Sequence, residues 1–173
     1  NGDIIDVLLS STPIDPRDLS KGVTFSAFDI TARKKTQKEL ADSEERYRII
    51  VESSSNGIFT LSTTHDFTSM NAAFESLIGQ DRDNWIDQSF FDLIPPDHKK
   101  KTQIILEQVL DRQEDTIIEA LNIVSPALEK HKICEIKLKP KFDDTHQIIG
   151  VVGFVKDLTE TIEAQETVRR VET

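Results

Sequence analysis

The side chains able to do chemistry are few and scattered in this sequence. There are four histidines, His65, His98, His131 and His146, and a single cysteine, Cys134. His131 and Cys134 stand close together, but in a β-strand a spacing of three puts two side chains on opposite faces. The motifs G-x-x-x-x-G-K-[ST], H-E-x-x-H and G-x-S-x-G do not occur. We therefore expect neither a metal site nor an enzyme activity in this chain.

Composition restricts the partners. Of 173 residues, 37% are hydrophobic and 30% are charged, with a net charge of −10, which is typical of a globular domain that repels nucleic acid and anionic membranes. The basic runs Lys99–Lys101 and Lys137, Lys139 and Lys141 are interpreted as solvated faces. The longest apolar run, 148–155, is too short to span a bilayer. A lone cysteine and no visible signal peptide predict a cytoplasmic location, compatible with a membrane-anchored parent.

The sequence pattern predicts an α+β fold. Strands are predicted at 3–9 and 22–30, and a Gly- and Pro-free helix follows from Thr31, its N-cap, to about Glu52. Two short strands, a short helix between Asn71 and Gly79, and a longer helix from the prolines at 95–96 come next. Three strands follow at 116–124, 132–140 and 148–158, and a helix begins at Thr159.

An internal repeat divides the chain. GVTFSAFDIT (22–31) returns as GVVGFVKDLT (150–159), and IIDVLL (4–9) aligns with ICEIKL (133–138). Residues 1–31 are therefore predicted to be the C-terminal hairpin of an upstream domain, and 32–52 a linker helix. Residues 53–159 are predicted to be a complete copy, and 160–173 the start of an outgoing helix.

The complete copy resembles the PAS domain. The resemblance rests on SEERYRIIVESSSNGIF (43–59), MNAAFESLIG (70–79), SFFDLIPPDH (89–98) and IIGVVGFVKDLTE (148–160). It implies a five-stranded antiparallel sheet with short helices on one face, flanked by signalling helices. It also implies a sensory or coupling module of a larger protein of the histidine kinase or diguanylate cyclase type. The rival interpretation is a ligand-free dimerisation or protein-interaction domain.

The repeated D-[IL]-T ending is the predicted signal junction, formed by Asp29, Thr31, Asp157 and Thr159. Each junction lies where a strand passes into a helix, and an Asp or Thr there can satisfy free backbone N–H groups. In PAS proteins the same place passes a change in the sheet to the outgoing helix. Capping and coupling both stay open. DITARKK offers basic residues after the motif whereas DLTETIE offers acidic ones, so the two junctions are expected to differ.

An apolar pocket between the sheet and the helices is the candidate ligand site, with a plain hydrophobic core as the alternative. Gly153 is expected to let a ligand or a helix backbone approach the sheet. The candidate lining residues are Phe74, Leu77, Phe90, Phe91, Ile94, Ile105, Val109, Ile117, Asn122, Ile136, Val151 and Gly153.

Known PAS cofactors match the sequence poorly. Where haem-binding relatives carry the ligating histidine in the long helix, this chain has Glu107, and His98 lies more than two turns earlier. Asn122 falls where those sensors carry a gas-contacting arginine. Ser89 stands where blue-light flavin photochemistry needs a cysteine. Haem and covalent flavin photochemistry are therefore not expected, while non-covalent flavin stays open.

The first helix carries a narrow apolar stripe of Leu40, Ser43, Tyr47 and Ile50 at heptad spacing. It could pair two protomers or cover the sheet of its own domain. We expect Tyr47, Ile50 and Val51 to cover the sheet and the Leu40 end to join a partner, giving a homodimer through the flanking helices. The remaining expected partners are neighbouring PAS and output domains of the same chain.

Overall fold

The protein is described here by a computed structural model of residues 4–171, the side chains of Leu19 and Val171 excepted. The chain divides after Ile49 into two units.

The first unit is an antiparallel hairpin of β1 (Val7–Pro13) and β2 (Val23–Asp29), followed by α1 (Thr31–Ser53), which continues into the second unit. Val7 lies opposite Asp29, and Pro13 lies opposite Val23. The first strand therefore begins four residues later than its predicted start at Asp3, which lies outside the described residues. No side chain of α1 is buried.

The second unit contains the remaining elements, within a few residues of their predicted bounds. They are β3 (Gly57–Leu61), β4 (Phe67–Met70), α2 (Ala72–Ile78), the 3₁₀ turns Arg82–Asn84 and Phe90–Leu93, α3 (Pro96–Arg112), β5 (Thr116–Ile123), β6 (Lys132–Phe142), β7 (Ile148–Asp157) and α4 (Thr159–Val171).

Local sequence explains where α2 begins and ends. The side chain of Asn71 accepts a hydrogen bond from the N–H of Phe74 at the helix N-terminus. Gly79 ends the helix with φ at 69°, a left-handed conformation that a glycine adopts without a steric penalty. Both predicted caps are confirmed.

The five strands form one antiparallel sheet in the order β4-β3-β7-β6-β5, which confirms the predicted α+β architecture. Side chains alternate along β6, so Cys134, Ile136 and Leu138 are fully buried while Glu135 and Lys137 between them are not. The buried faces of α2 and α3 contribute Phe74 and Leu106 to the same core. Among residues 4–171, no helix has the length and apolar character needed to cross a membrane.

Candidate functional site: the strand-to-helix junctions and the sheet interior

The hydroxyl group of Thr159 joins two strands at the start of α4. Its Oγ1 donates to Asp157 Oδ1 at 2.5 Å and accepts from the backbone N–H of Ile133 at 3.0 Å. The backbone N–H of Thr159 also donates to Asp157 Oδ1, at 2.9 Å, and Leu158 N–H donates to the Ile133 carbonyl at 2.8 Å. The end of β7, the beginning of β6 and the first residue of α4 are therefore held in one hydrogen-bonded cluster.

Asp157 is ionised within this cluster. Partial burial raises the pKa of its carboxyl, but the hydrogen bonds from Thr159 and from Lys132, whose Nζ lies 3.1 Å from Asp157 Oδ2, outweigh burial and hold the pKa below its usual value. A charged acceptor strengthens the hydrogen bonds that it receives. The junction therefore has its full set of hydrogen bonds at neutral pH.

The first junction repeats this geometry. Thr31 Oγ1 donates to Asp29 Oδ1 at 2.6 Å and accepts from Asp6 N–H at 2.9 Å, and Ile30 N–H donates to the Asp6 carbonyl at 2.9 Å. The hydrogen bonds from Thr31 hold the pKa of Asp29 below its usual value. Thr31 was expected to cap the helix, but its hydroxyl accepts instead from the N–H of Asp6, the residue before β1.

The two junctions differ in their basic partner, as expected. At the first, Lys34 in α1 donates to Asp6 Oδ1 at 2.7 Å, so the cation comes from the helix. At the second, Lys132 in β6 binds Asp157, so the cation comes from the sheet.

The hydrogen bonds and strand registers also define which residues of the two hairpins are equivalent. Val7 pairs with Asp29 as Cys134 pairs with Asp157, and Pro13 is equivalent to Pro140. The alignment of 22–31 with 150–159 is consistent with this register, whereas the alignment of IIDVLL with ICEIKL is wrong by two residues. The error preserved the alternation of faces, since a two-residue shift returns a strand to the same face.

The last turn of α1 is held in place by the side chain of Asn71, which is 1% exposed. Its Oδ1 accepts from the N–H groups of Ile58 and Phe74, at 2.8 and 3.1 Å, and its Nδ2 donates to the carbonyls of Val51 and Asn56, at 2.9 and 3.1 Å. One side chain thus ties the last turn of α1, the following turn, β3 and α2 together.

A second contact at the same place was not predicted. Arg82 donates to Glu52 through Nη1 and to Glu75 through Nη2, both at 2.9 Å, and Glu52 also accepts from Ala72 N–H at 2.8 Å. The hydrogen bonds from Arg82 lower the pKa of both glutamates and raise that of the guanidinium. Glu52 and Arg82 are thirty residues apart, so no helical or strand spacing signals the pair.

Most of the candidate pocket residues lie together, but they pack against one another. The aromatic rings of Phe59 and Phe67 contact each other and those of Phe74 and Phe90, with centroids 5.0 to 5.8 Å apart. Buried in this core are Phe74, Leu77, Phe90, Ile94, Val109, Ile136 and Val151, with Phe91 and Ile105 partly buried against it.

Three candidates contribute no side chain to this core. The side chain of Ile117 is 53% exposed. Asn122 is half-buried between the buried Leu121 and Ile123, so strand alternation turns it away from the core. Gly153 is buried, but the space above it is filled by the ring of Phe59 on the neighbouring strand, to which an added Cβ would lie 2.2 Å away. The expected close approach to the sheet is thus made by a side chain rather than a ligand.

A small cavity lies between α3 and β5. It measures about 60 Å³ and is lined by His98, Lys101, Thr102, Ile105, Ile118, Ala120 and Leu121. Pockets for drug-sized ligands are typically about 300–1,000 Å³, so this cavity suits a few water molecules or a very small ligand.

The residues weighed for cofactor chemistry have other roles in the fold. Glu107 is exposed on α3 and accepts from Gln103 at 2.8 Å, and Ser89 Oγ caps the 3₁₀ turn that follows it. Burial raises the pKa of the Cys134 thiol to about 12. Within the described part of the chain, no three His, Cys, Asp or Glu side chains converge to hold a metal ion.

The apolar stripe of α1 is exposed to solvent. Leu40, Tyr47 and Ile50 are 60%, 69% and 66% exposed, and Val51 is 39% exposed. The expectation that Ile50 and Val51 cover the sheet of their own domain is therefore wrong.

Comparison with known proteins defines the class of this module. A family model described as the PAS fold matches residues 45–158. The chain therefore belongs to the PAS family, a sensory and non-catalytic type of domain.

Solved structures share the fold at low sequence identity. The PAS domain of an HTR-like protein from Haloarcula marismortui has a TM-score of 0.62 and 15% identity, covering 72% of this chain and 98% of that one. A sensory box histidine kinase/response regulator from Burkholderia thailandensis has 0.53 and 14%, covering 73% and 95%. The N-terminal domain of a diguanylate cyclase with PAS/PAC sensor from Marinobacter aquaeolei has 0.53 and 12%, covering 61% and 97%. No curated protein matches the chain.

Proposed function

We propose that this chain is a sensory and coupling module of a larger cytoplasmic signalling protein, and that it passes a change in its sheet to α4 through Asp157 and Thr159. The output domain we propose is of the histidine kinase or diguanylate cyclase type. Structural relatives with those names support this choice of output.

The observation that carries the proposal is the hydroxyl of Thr159. It bonds simultaneously to β7 through Asp157 and to β6 through Ile133, and it belongs to the first residue of α4. A relative shift of β6 and β7 by more than about half an ångström lengthens one of the two hydrogen bonds beyond the normal range. Strand displacement and the position of the helix start are therefore coupled by a single side chain.

The last turn of α1 is also joined to the second unit by side-chain hydrogen bonds. Asn71 binds the carbonyl of Val51, and Arg82 binds the carboxylate of Glu52, both in the last turn of α1. A movement of that turn thus has a direct path to β3 and α2, because the same Asn71 accepts from Ile58 N–H.

The test is a pair of threonine substitutions in the parent protein. Thr159→Val removes the bridging hydroxyl, while Thr167→Val removes a hydroxyl that only donates to the Glu163 carbonyl within α4. We expect Thr159→Val to change the signal-dependent output activity and Thr167→Val to leave it as in the wild type. Equal outputs for both variants and the wild type would refute coupling through the junction.

Ligand binding requires its own measurement. Visible absorption of freshly purified protein detects haem or flavin, and native mass spectrometry detects other bound molecules. We expect a ligand held in the cavity at Thr102 to be very small, since that cavity measures about 60 Å³. If native mass spectra show only the mass of the polypeptide without a ligand, and the visible spectrum is featureless, the sensing part of the proposal is contradicted. The coupling part is unaffected by that result.

The second candidate is a ligand-free homodimerisation or protein-interaction domain. It is favoured by the closely packed aromatic core and by the exposed stripe of Leu40, Tyr47 and Ile50. Light scattering before and after deletion of residues 1–42 tests it, and we expect the mass to fall from dimer to monomer. A monomer mass for the undeleted chain would eliminate this candidate. We propose no nucleic-acid partner and no direct membrane contact.

A further inference from the structure

The two hairpins have the same construction but different surroundings. In the second unit, β7 pairs with β3 as well as with β6, and β6 pairs with β5. In the first unit, β1 and β2 form a two-stranded sheet. Two strands alone are marginally stable in water, and unpaired strand edges present free N–H and C=O groups to any partner.

The face that is buried in one hairpin is exposed in the other. By register, Val7, Leu9, Val23 and Phe25 are equivalent to Cys134, Ile136, Val151 and Gly153. The four residues of the second unit lie in its core, whereas those of the first are 41%, 70%, 44% and 71% exposed. An apolar face of this size on a hairpin with two open edges indicates an interaction surface.

We propose that this surface is covered by a segment of a longer chain that precedes Asn1 and is equivalent to residues 57–131. That segment supplies one strand beside β2, another beside β1, and a helical layer over Val7, Leu9, Val23 and Phe25. With β1 and β2 it forms an upstream domain of the same fold. The proposal rests on hairpin equivalence and is independent of signal transfer through α4.

One pair of residues specifies the covering strand further. In the second unit a large ring on β3, Phe59, lies over the glycine on β7, Gly153. In the first unit Phe25 occupies the glycine position, so its own ring fills that space. Close packing admits one large side chain at such a pair. The covering strand is therefore expected to carry a small residue, such as Gly or Ala, opposite Phe25.

Cysteine labelling tests the surface with little background. The chain has one native cysteine, and it is buried with its thiol pKa raised to about 12, so it stays unreactive in the folded protein. Leu9→Cys and Phe25→Cys place a thiol on the apolar face. Ser10→Cys and Ser26→Cys, one residue further along each strand, place it on the opposite face as matched controls.

We expect all four cysteines to react at rates within about threefold of each other in the 173-residue chain. In the longer chain, Leu9→Cys and Phe25→Cys should react at least ~100-fold more slowly than the controls, because labelling then requires the domain to open. Equal rates on both faces of the longer chain would overturn the proposal. Protection in the 173-residue chain that rises with protein concentration would also overturn it, since a second copy would then be the cover.

Hydrogen exchange of the unsubstituted protein guards against variants that fail to fold. The amides of β2 that point away from β1 should exchange slowly in the longer chain and rapidly in the 173-residue chain. Rapid exchange of these amides in both chains would exclude a strand beside β2.

Discussion

Removing the hydroxyl group of Thr159 should destabilise the second unit far more than its size suggests. Thr159→Val keeps the shape and the β-branching of the side chain but removes the oxygen that donates to Asp157 and accepts from Ile133 N–H. The Asp157 carboxylate keeps the backbone N–H of Thr159 and Lys132 as partners. The N–H of Ile133, a half-buried residue at the start of β6, loses the acceptor that Thr159 provides.

The magnitude follows from these contacts. A hydrogen bond to a charged group contributes about 1.5–3 kcal/mol, and a buried donor left unpaired costs about 1–3 kcal/mol. The side chain of Asp157 is 35% exposed, and Ile133 is only half-buried, so both values belong at their lower ends. We expect the free energy of unfolding to fall by about 2 kcal/mol, equivalent to a loss of roughly 6–10 °C in Tm for a domain of this size.

Urea unfolding followed by circular dichroism measures the change, with two control variants. Thr167→Val removes an exposed hydroxyl within α4 and should alter the free energy of unfolding by less than about 0.5 kcal/mol. Thr159→Ser restores the oxygen and should recover most of the loss. If Thr159→Val and Thr167→Val unfold at the same urea concentration, the bridging hydroxyl does not hold the strands and the helix together.

Three further substitutions test the rest of the site by the same unfolding assay. Asn71→Ala should cost about 2–4 kcal/mol, because it leaves the Ile58 N–H and other backbone groups without a partner; a loss below about 1 kcal/mol would contradict that role. Gly153→Ala should cost about 1–3 kcal/mol by collision with Phe59, and Phe59→Leu in the same chain should recover part of it; strictly additive losses would contradict the collision. Arg82 lowers the pKa of the two glutamates that bind it from an ordinary value of 4.5, so its stabilisation is present above that pH and is lost as the pH falls through the lowered values. Arg82→Gln should therefore destabilise the protein by about 1 kcal/mol at pH 6 and by less at pH 3, and a loss independent of pH would refute the ion pairs as its cause.

The order of the elements, and the limits of those marked by local signals, could be predicted from the sequence, whereas β1 at Val7–Pro13 is displaced from its predicted bounds. The long polar segment that begins at Thr31 has no Gly or Pro and forms the single helix α1. Asn71 and Gly79 mark the two ends of α2. The repeated D-[IL]-T motif also identified both junctions. The N–H group that donates to the Thr31 hydroxyl was predicted wrongly, because the true donor, Asp6 N–H, is 25 residues away in sequence and is brought there by the hairpin register.

The sequence could predict which residues are buried in the core but not which of them contact each other. Alternation in β6 and β7 placed Ile136 and Val151 in the core. It could not show that Phe59 lies over Gly153, since that contact depends on the pairing of two strands far apart in the chain. The register of β5 is irregular between Ile118 and Leu121, which moves the buried face by one residue. Counting in steps of two from Ile118 therefore places Asn122 on the wrong face.

The pairing of β3 with β7 has a consequence for how such chains are assembled. Gly57, just after the incoming helix, lies opposite Val155, just before the outgoing one, so the entrance and exit of the domain are about two strand spacings apart at most. A gene segment encoding the whole unit could be gained or lost between two helices with little displacement of what lies on either side. Duplication of the domain in series therefore requires little rearrangement of the flanking helices.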